Sequence, residues 1–133
     1  MANIGLFAMK NMLDWSLKVS SIATPANIYV GLSLGAPSSA ASSEVGVGSG
    51  YLRQAMSFAG AATPAGSASA SNSTACTFGA FSSSAVISGL FIADTVSSNA
   101  GNMLWYGNLA TVRTPLAGDS LVIAAGALSI TLS

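Results

Sequence analysis

GNMLWYGNL, residues 101–109, sets two large aromatics and three further apolar residues between glycines and asparagines, with no charge anywhere in the run. With the two-residue period of a strand, Leu104 and Tyr106 fall on one face and Met103, Trp105 and Gly107 on the other. Both faces are bulky, which marks a strand covered on both sides. Packing in a sandwich on one face, and under a helix or a neighbouring subunit on the other, accounts for the aromatics without a ligand. Trp105 is therefore read as a packing residue and not as the wall of a pocket.

Working outward, the same period recurs. In NIYVGLSL (27–34), Ile28, Val30, Leu32 and Leu34 point one way and Tyr29, Gly31 and Ser33 the other. YLRQAMSF (51–58), CTFGAF (76–81), AVISGLFIAD (85–94), NMLWYGNLA (102–110), DSLVIAA (119–125) and ALSITLS (127–133) alternate or run apolar between Gly, Ser, Asn and Pro breaks. AGD (117–119) and Gly126 predict tight reversals before and between the last two strands. Short strands with such turns describe a mainly β chain, an antiparallel β-sandwich or jelly-roll-like barrel.

Two stretches of Gly, Ser and Ala, 35–50 and 59–75, bury too little apolar area to offset their ordering and are expected to be flexible loops. Residues 3–19 change the period to 3.6. Leu6, Met9, Leu13 and Leu17 form a stripe flanked by Phe7 and Trp15, opposite Lys10, Asn11, Asp14 and Lys18. This short amphipathic N-terminal helix, with Asp14 and Lys18 in i,i+4 order, has a wide apolar face to bury. The expectation is that it covers an open sheet of its own domain, with a neighbouring subunit as the alternative. Residues 1–133 then form a single β-rich domain.

Composition narrows the function. Of 133 residues, 4 are Lys or Arg and 4 are Asp or Glu, while 51% are hydrophobic. A folded chain of 13.1 kDa exposes roughly 6,400 Å². So sparse a charge suits a surface partly covered by other polypeptides. Zero net charge gives no field for nucleic acid or an anionic membrane. The longest apolar runs, 85–93 and 121–132, fall short of the about 20 residues of a spanning helix. The start of the chain does not resemble a signal peptide, because Lys10 and Asp14 interrupt its apolar run.

Catalytic chemistry is short of parts. There is no histidine, which removes Ser-His-Asp and Cys-His sites and the commonest general base. The single Cys76 excludes an internal disulfide and multi-cysteine metal sites, and reads as a small buried hydrophobe. Asp14 lies on the helix edge, Glu44 in the first loop, and Asp94 and Asp119 border turns where Asp bonds local backbone. No catalytic, cofactor-binding or metal-binding residue is assigned, and no cofactor is expected. GVGSG (46–50) lacks the lysine of a phosphate loop and reads as a hinge. NST (72–74) fits a glycosylation acceptor by chance. Arg53 and Arg113 are the only arginines, each a solvated head or half of an ion pair across a subunit boundary.

Four segments together resemble a known family. They are ANIYVGLSLGAPS (26–38), SGYLRQAMSFA (49–59), GLFIADTVSSNAGNMLWYGNL (89–109) and AGDSLVIAAGALSITL (117–132). The chain is similar to small structural proteins of tailed bacteriophages and prophages, often labelled tail fibre proteins, with related capsid decoration or cement subunits. The resemblance implies a non-enzymatic virion protein, assembled in the host cytoplasm, β-rich and self-associating. Two roles follow. One is a trimeric decoration protein clamping the major capsid protein or other virion proteins. The other is a tail- or head-fibre module for host surfaces, with Tyr51 or Trp105 exposed to stack on sugar rings. Decoration is the expectation, because a fibre usually takes its length from repeats or a long coiled coil, and this chain has neither. Leu6, Met9, Leu13, Trp15, Tyr51, Arg53, Trp105 and Arg113 are the interface candidates.

Overall fold

In the computed structural model, which describes residues 2–39, 42–63 and 65–132, alternating segments become short strands joined by turns. In chain order these are β1 (Ala2–Ile4), α1 (Leu6–Ser16), β2 (Tyr29–Ser33), β3 (Gln54–Ala55), β4 (Ala68–Ser71) and β5 (Cys76–Phe78). β6 (Ile87–Ala93), β7 (Met103–Arg113), β8 (Leu121–Ile123) and β9 (Ser129–Leu132) follow. β1, β7, β6, β2 and β3 form one antiparallel sheet in that order. β4 pairs with β9 and β5 with β8 as two separate antiparallel ribbons.

Register explains the core. Ile92 lies opposite Val30 on one side and Trp105 on the other, and Leu90 lies opposite Leu32 and Gly107. Paired residues share a face, so one side of the sheet presents Val30, Leu32, Leu90, Ile92 and Trp105. Phe78 of β5, with Phe81, Val45, Tyr51 and Met56, completes the buried cluster. Leu121, Ile123, Leu128 and Ile130 of the ribbons pack partly against it. Cys76 is buried there as a small hydrophobe. The chain is thus mainly β with one short N-terminal helix. The sheet does not close into a barrel, since β1 and β3 occupy opposite edges.

The differences from the sequence reading have local causes. Residues 2–4 are strand and not helix: Ala2, Asn3 and Ile4 pair with Gly107, Tyr106 and Trp105 before Gly5 opens α1. The helix stops at Ser16, where Lys18 takes φ 61 and the amides of Lys18 and Val19 bond the carbonyls of Trp15 and Asp14. This double closure is a Schellman motif with lysine where glycine is usual. Asp14 consequently pairs with Lys10 and not with Lys18.

The small-residue segment 59–75 contains β4, whose ASAS sequence alternates only small residues but makes a ladder with β9. In 35–50, Val45 is buried, Ser33 bridges Glu44, and Val47–Ser49 forms a 3-10 turn. Residues 40, 41 and 64 of these loop assignments lie outside the described residues. Gly126, at φ 77, does turn the chain, yet β8 and β9 part into different ribbons instead of forming a hairpin.

Candidate functional site

Most of the polar chemistry gathers beside the sheet, around Glu44. Extended backbone puts Tyr51 and Arg53 on one side of their segment, and both reach that carboxylate. Arg53 Nε donates to Glu44 Oε1 at 2.8 Å and Nη2 to Oε2 at 2.9 Å, a bidentate pair with side chains 3% and 0% exposed. Arg53 Nη1 donates to the carbonyls of Thr95 and Ala100 at 2.8 and 3.0 Å. The Tyr51 hydroxyl donates to Glu44 Oε1 and accepts the Leu32 amide, both at 2.9 Å. The Asn99 amide donates to Oε2 at 2.8 Å.

Beneath the guanidinium, 5.0 Å from its Cζ, lies the Phe91 ring, and under that ring is Gly31. A Cβ at Gly31 would stand 2.2 Å from Phe91 Cζ, so only glycine admits the stack. Burial alone would push the Glu44 carboxyl up. The hydrogen bonds from Arg53, Asn99 and Tyr51, together with the Arg53 charge, outweigh it and hold the group below its ordinary value. Burial pushes the Tyr51 phenol well up, with the Leu32 amide opposing and Glu44 reinforcing the shift. These groups hold one another in their resting ionisation states and knit the first loop to the 95–102 turn.

This arrangement corrects three readings. Glu44 is anchored and not adrift in a loop. Arg53 is buried and not a solvated head, and it finds its carboxylate inside its own chain, not across a boundary. Tyr51 is fully buried against Phe78, their rings 5.9 Å apart, so it offers no platform to a sugar. Tyr51 and Arg53 two apart, with one acid in the preceding small-residue loop, were the signal that a buried pair could have been read from.

The remaining acids serve turns. Asp94 accepts the Asn102 amide and side chain at 2.7 and 2.8 Å, and Asp119 accepts the Leu116 amide at 2.9 Å. Asn72, 2% exposed, donates to the carbonyls of Thr74 and Ala124 and accepts the Leu128 amide. Its side-chain nitrogen clamps the turn after β8, which leaves nothing to glycosylate. Among the described residues no three of Cys, Asp and Glu gather as a metal site.

The apolar candidates are placed differently. No residue of α1 is buried: Leu6 and Leu13 are each 58% exposed and Trp15 63%, with Met9 also exposed. Beyond the helix, Leu17 and Val19 are exposed as well. The Gly5 amide just before the helix bonds the Leu104 carbonyl at 2.7 Å, and α1 lies against β7 without any of its residues becoming buried. The expected burial of its apolar stripe against the sheet of its own domain does not occur.

Instead, an open groove of about 830 Å³ runs between β7 and the ribbons. Trp105 and Leu109 form one wall, and Leu121, Leu128 and Ile130 the other. Trp105 is half-buried and does both jobs, packing on the core and lining the groove, so the reading of packing without a pocket is corrected. Arg113 and Asp119 stand at the same groove, and Arg113 is exposed with no ion pair among the described residues.

The chain thus satisfies Glu44 and Arg53 internally and leaves large apolar side chains uncovered. A family model described as podophage GP4 fiber I protein gp80 matches residues 4–131. The chain belongs to that family. The match spans almost the whole sequence, and the family is one of phage virion structural proteins. No curated protein matches the chain. No helix among the described residues is long and apolar enough to cross a membrane.

Proposed function

We propose that the chain is a fibre subunit of the phage particle. It works as a homotrimer, held to its own copies and to neighbouring virion proteins by burial of apolar surface. The observation that carries this is the uncovered helix α1 on a member of a phage fibre family. At roughly 25 cal/mol per Å² of apolar area removed from water, such a surface supplies association energy without ions. No reaction, cofactor, nucleic acid or membrane enters the role.

The second reading is a decoration protein clamping the capsid shell, favoured by the absence of sequence repeats or a long coiled coil that would give a fibre its length. Quantitative mass spectrometry of purified particles separates the two. Copies in the tens, with image density projecting from the particle, support the fibre. Copies in the hundreds spread over the capsid lattice replace it with the decoration role. Absence from particles removes both.

A further inference from the structure

Two uncovered apolar features of the chain are complementary in kind. The first is the arm, residues 6–22, whose Leu6, Leu13, Trp15, Leu17 and Val19 are all more than half exposed. The second is the groove from Trp105 to Arg113 along β7, faced by the ribbon residues, to which no residue of the arm contributes a wall. The single chain exposes 7348 Å², against roughly 6,400 Å² for a folded monomer of this mass. The surplus, on the order of 900 Å², compares with the about 800 Å² each partner gives to a stable interface.

Charge points the same way. Glu44 and Arg53 are paired inside the chain, and Asp94 closes a turn. The other five charged residues are Lys10, Asp14 and Lys18 on the arm, and Arg113 and Asp119 at the groove. Lys10 and Asp14 pair with each other, which leaves Lys18 as the arm's unmatched cation. Asp119 is an acid at the groove, with one oxygen on the Leu116 amide and no cation among the described residues.

We propose that the arm of one copy seats in the β7–ribbon groove of the next, with the helix stripe on Trp105 and Leu109 and Lys18 toward Asp119. The inference rests on the self-association proposed above and names its contact. The contact is heterologous: one copy gives its arm and the other its groove, so three copies close a ring with every arm and every groove filled.

Complementation tests it. Leu13→Asp disables the arm. Val122→Asp, at an exposed groove position, disables the groove, and Leu109→Asp is a second groove variant. Melting of each variant followed by circular dichroism identifies those that keep the β domain. By native mass spectrometry each folded variant alone should be monomeric. An equimolar mixture of an arm variant and a groove variant should form a heterodimer, through the one intact arm and the one intact groove. A wild-type trimer whose two variants stay monomeric when mixed overturns the arm-in-groove contact and leaves self-association standing, as does a Leu13→Asp trimer of wild-type strength. A wild-type chain that stays monomeric at high concentration overturns both.

Discussion

At the scale of single residues, Glu44 ties together Tyr51, Arg53 and the Asn99 amide. Removing one partner of a buried pair strands the other charge, which costs about 3–5 kcal/mol. Glu44→Gln should therefore lower the free energy of urea unfolding by that order at neutral pH. The pH dependence has a definite sign. A carboxyl held below its ordinary value stabilises the fold above the unfolded pKa, and the contribution fades as pH falls through the folded one. Wild-type stability should be level from about pH 6 down to about pH 5, then drop in acid, and Glu44→Gln should lose part of that slope. An acid limb unchanged by the substitution would assign the slope to other carboxylates. Gly31→Ala probes the same stack from below. Its Cβ collides with a Phe91 ring that Arg53 covers from above, so a cost of about 1–3 kcal/mol is expected. Adding Phe91→Leu should give a double mutant less damaged than the sum of the singles, read as coupling in a double-mutant cycle.

At the scale of elements, α1 contributes exposed apolar surface without core. Trp15→Ser should leave the unfolding free energy of monomeric chain within about 0.5 kcal/mol of wild type, because the side chain is exposed. A larger loss would show the helix packed on the domain in solution. The strands were legible because apolar residues recur at every second position, Val30 and Leu32 in β2 and Leu90 and Ile92 in β6, all turned toward the same core cluster. β4 was not, since Ala68 to Ser71 are all small and the ladder to β9 lies some sixty residues away. The end of α1 was hidden because Lys18 adopts a left-handed conformation that composition does not announce. The groove was hidden for another reason: Trp105 looks the same in sequence whether its second face meets protein or empty space, and only tertiary distance separates the two. Tyr51 and Arg53, two apart on an extended segment, carry no sign in sequence of whether the acid they meet lies inside the chain or outside it.

At the scale of the whole molecule, the distribution of charge decides how assembly responds to its surroundings. Two of the eight ionisable groups of fixed charge are sealed together, and the rest are sparse and of mixed sign. Screening by salt acts on exposed charges and barely on apolar burial. For the proposed trimer, the association constant should change less than about threefold between about 0.05 and 0.5 M sodium chloride, measured by sedimentation equilibrium. Apolar burial also carries a negative heat-capacity change, so the association enthalpy by dilution calorimetry should become more favourable as temperature rises. The two readouts constrain each other. Ion-pair assembly would show strong salt dependence with a weak temperature slope, and apolar assembly the reverse. A steep fall of association with salt would make Lys18, Arg113 and Asp119 the principal contacts, and the uncovered face of α1 would then need another partner in the particle.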